Sequence, residues 1–289
     1  MQHAARQPTA QATPAFAPSE RETVTAYYRA IAPFYDAELA DRDDLDFWCA
    51  IAARHRGGRF LELGAGSGRV TEVLAPAARE LVAIDVSPEL LRLARRRLAA
   101  WPRTHLIQAD MLEPAIREPF DLIVAANDPF SHLIEAADRD RALGVVARHL
   151  APGGRFVLDA LWVSPGEAVA MARAGGRVRR RTISLDGQRL GVVERWERPG
   201  GQSGCCHARY EYRCDGRRLV VADFEARDWS VAEMLDRLDR AGLAVARLWG
   251  SYDGHAWSPA TASQLIVEAA LARGERGPRG RGSAAEALA

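Results

Sequence analysis

A glycine-rich turn between an apolar run and an amphipathic segment constrains the fold of this chain more than any other feature. The apolar run RFLEL, residues 59–63, overlaps the segment ELGAGSG, which contains Gly64, Gly66 and Gly68. Glycines let the backbone turn tightly and bring its N–H groups against a ligand, and a following helix adds partial positive charge at its N-terminus. The segment therefore predicts a ligand-binding turn from a strand into a helix.

An acidic residue further along the chain indicates which class of ligand this turn binds. Asp85 lies 21 residues after Gly64, at the end of the next apolar run, where a carboxylate can accept hydrogen bonds from both hydroxyls of a ribose. A nicotinamide-binding domain shows the same combination, but its glycine fingerprint is G-x-G-x-x-G, whereas this chain reads G-x-G-x-G. The spacing favours another nucleoside cofactor and leaves a nicotinamide oxidoreductase as a rival.

Strand-like and helix-like segments alternate along the middle of the chain. Short apolar runs predict strands at residues 59–63, 81–84, 105–107, 122–125 and 155–158. Residues 88–98 predict a helix, because Ser87 is a favoured N-cap and Pro88 suits the first helical position. This order predicts an α/β fold with a mainly parallel sheet that is covered by helices on both faces.

The pattern changes after the fifth predicted strand. Residues 176–228 contain short β-like runs separated by DG, PGG and DG turns, which predicts an antiparallel meander. A helix at residues 230–241 and strands at 243–249 and 264–269 then complete the α/β pattern. The meander therefore indicates an insertion that caps a single α/β domain.

The predicted organisation has four parts. The boundaries are a mobile tail at 1–20, an α/β domain at 21–163 and 229–272, a β-rich cap at 164–228 and a second mobile tail at 273–289. The tails are assigned from their biased composition and their lack of periodicity.

Composition excludes several functional classes. The 39 basic residues are all Arg, which excludes Schiff-base lysines, pyridoxal-phosphate lysines and phosphate loops that end in Gly-Lys. The formal net charge of +1 provides no long-range field for nucleic acid or a membrane surface, and no apolar stretch approaches the roughly 20 residues of a membrane span. Four cysteines are too few for a disulfide-stapled secreted domain. We therefore expect a cytoplasmic protein whose partners include neither nucleic acid nor membrane.

Five segments in order resemble the class I S-adenosylmethionine-dependent methyltransferases. The segments are ELGAGSG, AIDVSPELL, QADM, FDLIVAANDPFSHL and LAPGGRFVLD, over roughly residues 59–160. The resemblance implies a Rossmann-like sheet of seven strands with the last one antiparallel, and S-adenosyl-L-methionine as the cofactor. The FSHL segment, the β insertion and the N-terminal tyrosines are similar to those of small-molecule N-methyltransferases.

The resemblance also implies which residues bind the cofactor. Gly64, Gly66 and Gly68 would pack on the methionine portion, Asp85 would hold the ribose, Asp110 and Met111 the adenine, and Asn127 would lie beside the sulfonium, with Ala65 and Val86 among the remaining contacts. Glu62 would shape the glycine turn, the alternative being an exposed charge at a strand end.

The acceptor side has fewer signals. His132 lies five residues after Asn127 at the predicted start of a helix, and we expect it to act as the general base. Residues 27–36 resemble the helix that closes over the cofactor in small-molecule members of the family. Tyr35 or Tyr28 would then reach the cofactor carboxylate or the acceptor, the alternative being aromatic side chains that only pack.

Two segments should lie over the site, because ligands bind beyond the carboxyl ends of parallel strands. The β insertion leaves the fifth strand there, and the loop at residues 250–262 leaves the sixth. The loop offers four polar or aromatic candidates for acceptor contact, Tyr252, Asp253, His255 and Trp257, although an ordinary loop explains each of them singly.

Two further groups receive a structural interpretation. The arginines of residues 178–181 suit an anionic group, but charges on the solvent face of a strand explain them more simply. Cys205, Cys206 and His207 with Cys214 suggest zinc, but adjacent strand residues point to opposite faces and the paired C-x₂-C spacing is absent. We predict no metal site.

The sequence thus predicts methyl transfer from S-adenosylmethionine to an amine or hydroxyl of a small molecule by in-line displacement, in specialised metabolism, by a monomer or homodimer. The alternatives are a non-methylating, cyclase-like enzyme or a binding protein on the same fold. Nucleic-acid methylation is disfavoured, because the segment after the fourth strand reads NDPF at residues 127–130 rather than NPPY.

Overall fold

The computed structural model describes residues 20–116, 119–198 and 204–272. The predicted mobile tails lie outside these residues, except for Glu20, which begins the first helix. Within the described residues, the strands form one seven-stranded sheet and one four-stranded sheet.

The helices of the described residues are short to medium in length. Their bounds are α1 Glu20–Ile31, α2 Tyr35–Glu38, α3 Leu45–Ala53, α4 Arg69–Leu74, α5 Pro88–Arg97, α6 Ala136–His149, α7 Pro165–Ala174 and α8 Val231–Arg240, with a 3₁₀ turn at Pro129–His132. Helix α5 begins as predicted, because the Ser87 hydroxyl accepts a hydrogen bond from the Leu90 N–H at 3.2 Å. Helix α7 was not predicted; Ser164 and Glu167 form a capping box at its start.

The strands include all seven that the sequence predicts for the main sheet. Their bounds are β1 Arg59–Leu63, β2 Glu80–Asp85, β3 Thr104–Gln108, β4 Phe120–Ala125, β5 Leu150–Ala160, β6 Arg177–Leu185, β7 Gln188–Glu197, β8 Cys205–Cys214, β9 Arg217–Arg227, β10 Leu243–Trp249 and β11 Leu265–Leu271. Strand β5 begins five residues before its apolar run, because the LAPGG segment already pairs with β4 through Leu150.

The main sheet has the topology that the sequence predicts. Its strand order in the described chain is β10-β11-β5-β4-β1-β2-β3, and β11 runs antiparallel to both of its neighbours. The order reverses direction at β1, so the carboxyl ends of β1 and β4 open a crevice where open α/β sheets bind ligands. Buried apolar side chains fill both faces of these central strands, including Phe60, Leu61 and Leu63.

The smaller sheet is an antiparallel meander in the order β6-β7-β8-β9. Two of its predicted DG turns have both residues in the left-handed region, with φ of 50° and 78° at Asp186-Gly187 and of 48° and 76° at Asp215-Gly216. Such turns match the twist of paired strands. The predicted PGG turn, at residues 199–201, lies outside the described residues.

Helix α1 packs against the inner face of the smaller sheet. Tyr27 contacts Phe224 with ring centroids 4.4 Å apart, and Phe34, which follows α1, stacks on Tyr212 at 4.3 Å. These aromatic contacts fix α1 between the smaller sheet and the crevice of the main sheet. Among the helices that the structure describes, none has the length and apolar character that a membrane crossing requires.

Candidate active site

A cavity of about 150 Å³ lies beyond the carboxyl ends of β1, β2 and β4. Nine of the residues singled out from the sequence line it: Tyr28, Tyr35, Gly64, Asp85, Val86, Asp110, Met111, Asn127 and His132. Of the other residues expected to bind the cofactor, Ala65, Gly66 and Gly68 belong to the glycine turn and Glu62 precedes it, and these four do not appear in the cavity wall. The fold thus gathers segments that are up to about a hundred residues apart in the sequence around one space.

Asp85 fixes the geometry of the glycine turn. Its carboxylate accepts hydrogen bonds from the N–H groups of Gly66 and Ser87, both at 2.8 Å. Burial raises the pKa of Asp85, and these backbone N–H groups oppose the shift because they stabilise the carboxylate. The turn and the end of β2 are therefore held together by a carboxylate at the cavity wall.

At two positions of the turn, glycine is required both by the left-handed backbone and by a neighbouring residue that leaves no room for a Cβ atom. A Cβ atom on Gly64 would lie 2.6 Å from Cβ of Pro129, and one on Gly66 would lie 3.0 Å from the Tyr35 hydroxyl oxygen. Gly68 serves another purpose, since a Cβ there would lie 3.0 Å from Leu98 Cδ1 on the side of α5. Gly68 therefore permits helix packing, while Gly64 and Gly66 allow the turn to pass close to its neighbours.

Glu62 lies beneath the turn rather than at an exposed strand end. Its side chain is buried, with 2% of the residue exposed, so the exposed alternative is wrong. Burial raises its pKa to about 8, an effect that Thr71 and Arg69 partly offset. Its Oε2 atom has no hydrogen-bond partner among the described residues.

Tyr28 and His132 meet at the far side of the cavity. The Tyr28 hydroxyl oxygen lies 2.7 Å from Nε2 of His132. Burial lowers the pKa of His132 to about 4, so its ring is neutral at physiological pH, and burial raises the pKa of Tyr28. His132 is the last residue of the 3₁₀ turn rather than the start of a helix, because α6 begins only at Ala136.

A second cavity, of about 370 Å³, lies next to the first. The two cavities share Tyr28, Tyr35, Asn127 and His132. Burial raises the pKa of Tyr35 to about 12, while its hydrogen bond to the Asn127 side chain acts in the opposite direction. Six residues of the smaller sheet also line the second cavity: Arg179, Arg181, Glu194, Trp196, Tyr210 and Phe224.

The solvent-face interpretation of the arginines at 178–181 is wrong for Arg181. Its guanidinium bridges Glu38 and Glu194, which are both part of the second cavity wall. Arg179 lines the same wall.

A group of charged residues at the ends of β4 and β5 was missed by the sequence analysis. Asp159 at the end of β5 is fully buried, and its Oδ2 atom accepts hydrogen bonds from Arg42, the Tyr252 hydroxyl and the Asn127 N–H. Asp128 follows Asn127 and lines the second cavity. The signal for Asp159 was its place as the last residue of LAPGGRFVLD, at the carboxyl end of a strand.

The loop at 250–262 lies to one side of both cavities. As far as the described residues define the walls, Tyr252, Asp253, His255 and Trp257 line neither cavity. Tyr252 instead contacts Asp159, and Trp257 packs against Trp162 with ring centroids 5.9 Å apart. The prediction that this loop covers the site is therefore wrong, because its side chains pack on the strand ends. In the described part of the chain, no three His, Cys, Asp or Glu side chains are placed to hold a metal ion.

Comparison with known proteins assigns a family to this arrangement. A family model described as a methyltransferase domain matches residues 60–154, which include the glycine turn, Asp85, Asp110 and Asn127. The cypemycin N-terminal methyltransferase of a Streptomyces species is 29% identical over 223 residues, covering 75% of this chain and 86% of that protein. Nodulation protein S of Rhizobium tropici is 38% identical over 97 residues, covering 34% of this chain and 40% of that protein.

Solved structures share the fold at lower identity. The CcbJ methyltransferase from Streptomyces caelestis superimposes with a TM-score of 0.71 at 20% identity, covering 86% of this chain and 99% of that one. An S-adenosylmethionine-dependent methyltransferase from Clostridium acetobutylicum gives a TM-score of 0.67 at 21% identity, covering 85% and 99%.

The first cavity fits S-adenosylmethionine. It has a bare glycine backbone beside a fixed carboxylate, Asp85, at the end of β2, and apolar side chains farther along its wall. A carboxylate at this position can accept hydrogen bonds from ribose hydroxyls, and a backbone without side chains lets a ligand approach the turn closely. The matched family sets the nicotinamide alternative aside. Residues 60–154 form a methyltransferase domain, and the fold around it is that of class I S-adenosylmethionine-dependent methyltransferases.

Proposed function

We propose that the chain transfers a methyl group from S-adenosylmethionine to an amine of a small-molecule acceptor. The proposal depends on one observation: the two cavities share four lining residues, Tyr28, Tyr35, Asn127 and His132. In-line displacement needs the donor and the acceptor on opposite sides of the transferred carbon, and such positioning lowers the barrier by up to about 7–11 kcal/mol. Two cavities that share these wall residues support a donor and an acceptor placed on opposite sides of the transferred methyl group.

The first cavity would hold the cofactor through residues predicted from the sequence. Asp85 would accept hydrogen bonds from the ribose, Asp110 and Met111 would contact the adenine, and the glycine turn would face the methionine portion. When bound, the cofactor supplies an electrophilic methyl group on a positively charged sulfur. Asn127 would lie beside that sulfur, since it lines both cavities.

The charge of the second cavity favours an amine over a hydroxyl. Its acidic side chains include Glu38, Asp128 and Glu194, and the two glutamates already share Arg181. Asp128 takes part in no such ion pair among the described residues. Arg42, Arg179 and Arg181 line the same cavity. A carboxylate that forms no ion pair attracts a protonated amine, whereas a neutral hydroxyl gains little from it.

The aromatic part of the cavity would select the body of the acceptor. Trp196, Tyr210 and Phe224 come from the smaller sheet, and the Phe224 ring lies 5.3 Å from the His132 ring. We propose that residues 164–228 thereby act as a cap over the acceptor. Aromatic faces suit a ring or a cationic group, and a cavity of about 370 Å³ falls in the size range of small-molecule sites.

Tyr28 and His132 would hold the acceptor nitrogen. A neutral His132 with an unprotonated Nε2 can accept a hydrogen bond from the Tyr28 hydroxyl. The lone pairs of the phenol oxygen can then accept a hydrogen bond from an N–H group of the substrate amine. The general-base role expected for His132 stays a prediction, and its pKa of about 4 makes it a weak base for an ammonium group. Tyr35, over the glycine turn, would contact the cofactor or the acceptor.

The name of one relative supports nitrogen as the target. The cypemycin N-terminal methyltransferase, by its name, methylates a terminal amine, and its match covers most of both chains. This supports an amine acceptor for the present chain.

An assay with matched acceptors tests the proposal. The purified chain is incubated with methyl-labelled S-adenosylmethionine and three pairs: benzylamine with benzyl alcohol, glucosamine with glucose, and glycine with glycolate. We expect an N-methyl product and an equal amount of S-adenosylhomocysteine from at least one amine, and neither from its partner. Asp85→Ala is the control, and it should lose both products. Methylation of the alcohols alone, or of no acceptor, contradicts the proposal.

A further inference from the structure

The backbone at Asp128 is held in an uncommon conformation. Asn127 and Asp128 both lie in the left-handed region, with φ of 62° and 58°. Successive non-glycine residues there are strained, and such strain persists where the surrounding structure fixes it. The Asp128 carbonyl accepts hydrogen bonds from the Ser131 N–H at 2.9 Å and the Ser131 hydroxyl at 2.6 Å, which holds the turn. The turn thereby brings the Asp128 side chain to the wall of the second cavity.

The Asp128 carboxyl group has an unused acceptor atom. Its Oδ1 atom is buried and has no hydrogen-bond partner among the described residues. Asp128 also lines an adjoining cavity of about 360 Å³, so it borders both parts of the proposed acceptor space. A buried carboxylate oxygen without a donor is costly, and it is a candidate for satisfaction by a ligand.

The cations near Asp128 are engaged elsewhere. Arg42 donates to Asp159 and to the Tyr252 hydroxyl and forms an ion pair with Asp44, while Arg181 bridges the two glutamates described above. In the described chain, no ion pair within 4.0 Å joins Asp128 to any arginine, including Arg179, which lines the same cavity. Asp128 is therefore a carboxyl group that faces a cavity without a cationic partner.

We infer that Asp128 binds the ammonium group of the acceptor and takes its proton before methyl transfer. The inference rests on the proposed function. In the proton step the N–H bond breaks, the proton goes to a carboxylate oxygen of Asp128 and the electron pair stays on nitrogen. The nitrogen then forms its bond to the methyl carbon as the carbon–sulfur bond breaks with its electrons going to sulfur, which leaves S-adenosylhomocysteine. The protonated Asp128 afterwards releases its proton to solvent.

The electrostatics of the site agree with this role. Burial and the neighbouring Asp159 raise the pKa of Asp128, and Arg42 partly offsets them, so Asp128 accepts a proton more readily than an exposed aspartate. Titratable and charged groups line the two cavities around Asp128 from every neighbouring element: Tyr27 and Tyr28 from α1, Tyr35 and Glu38 from α2, Asp41 and Arg42 after α2, His132 from the 3₁₀ turn, Glu167 from α7, and Arg177, Arg179, Arg181, Glu194, Cys206 and Tyr210 from the smaller sheet. Asp159 from β5 and Tyr252 from the loop at 250–262 also interact with it electrostatically.

Asp128→Asn tests the inference, with Asp159→Asn as the matched control at the neighbouring strand end. For whichever amine of the panel the wild type methylates, we expect Asp128→Asn to lower kcat about 100-fold or more at pH 7. The loss should shrink as pH rises towards the pKa of the amine, since more free base is then present. Binding of S-adenosylmethionine should stay within about threefold of wild type.

A readout independent of turnover separates this role from a structural one. Because the Asp128 carboxylate lacks a partner, Asp128→Asn should melt at or above the wild-type temperature at pH 8. Asp159→Asn should melt lower, since it loses contacts with Arg42 and Tyr252. Calorimetry in the presence of S-adenosylhomocysteine should show that the amine substrate binds Asp128→Asn at least about tenfold more weakly than it binds the wild type. If Asp128→Asn does not fold, Asp128→Glu is the alternative variant. It should keep part of the activity and show a shifted pH profile of kcat.

The outcomes distinguish the two claims. If the wild type methylates an amine and Asp128→Asn does so within threefold at every pH, the assignment of Asp128 is overturned and the proposed function stands. A lowered melting temperature for Asp128→Asn with an unchanged pH profile also overturns it, because that result indicates a structural role. If the wild type methylates no amine, both claims fall.

Discussion

The hydroxyl oxygen of Tyr28 lies 2.7 Å from Nε2 of His132, although 104 residues separate them in the chain. This contact joins α1 to the 3₁₀ turn that follows β4, and both residues line the two cavities. A neutral imidazole has one protonated and one unprotonated ring nitrogen, so the Tyr28 hydroxyl donates to Nε2 in the tautomer that carries its proton on Nδ1.

The contact predicts a turnover defect on removal of the imidazole. His132→Ala should lower kcat at least about tenfold at neutral pH, because the Tyr28 hydroxyl loses its acceptor and no longer points in one direction. Affinity for S-adenosylmethionine should be nearly unchanged. Tyr28→Phe should cause a similar loss, and the double variant should lose little more, because both changes break one interaction. Steady-state kinetics with an amine that the wild type methylates measures these losses. Fully additive losses in the double variant would contradict the account.

Asp85 should dominate the affinity for the cofactor. Asp85→Asn should weaken binding of S-adenosylmethionine by about 10- to 100-fold, since hydrogen bonds to a charged group contribute about 1.5–3 kcal/mol. Glu80→Gln is the matched control, because Glu80 begins the same strand at the opposite end and pairs with Arg59. Titration calorimetry should find that this control binds like wild type. Equal losses in the two variants would show that the effect comes from β2 and not from the carboxylate.

Gly64 should be sensitive to the smallest substitution. Gly64→Ala should destabilise the chain by about 1–2 kcal/mol for its left-handed backbone and by more for the contact with Pro129. Gly187→Ala is the matched control, because Gly187 has a similar φ of 78° and open space where a Cβ atom would lie. Urea unfolding should therefore give a larger loss for Gly64→Ala, and a difference below experimental error would show that the close approach does not matter.

The buried Glu62 predicts a pH dependence of stability. Its pKa is raised from 4.5 to about 8, so between these values the folded chain holds a proton that the unfolded chain has released. Stability must then fall as pH rises from about 4.5 and level off above about 8. Glu62→Gln removes this dependence. Across that pH range its free energy of unfolding should rise relative to that of the wild type by on the order of a few kcal/mol. Urea unfolding of both ligand-free proteins at pH 5 and pH 8 measures it, and a constant difference would contradict the assignment.

The main sheet and its cofactor cavity were largely predictable, because their determinants are local. The glycine turn, Asp85 at a strand end and the Ser87 cap each depend on a short segment whose backbone conformation follows from its residues. The same holds for the DG turns of the smaller sheet, where glycine and aspartate suit the left-handed positions.

The acceptor side was less predictable, because its geometry depends on distant contacts. Arg42 and Tyr252 meet Asp159 from opposite ends of the chain, and no spacing in the sequence indicates that contact. Asp128 follows Asn127 directly, but only the two left-handed residues turn it towards the second cavity. The loop at 250–262 was misplaced for the same reason, since packing of Tyr252 and Trp257 decides where it lies.

The most direct test of the central claim is a crystal structure with S-adenosylhomocysteine and an amine that the chain methylates. The account predicts the ribose on Asp85, the adenine beside Asp110 and Met111, and the amine nitrogen in the second cavity, between the sulfur and Asp128. An amine bound outside the second cavity, or a cofactor whose sulfur lies away from Asn127, would contradict it.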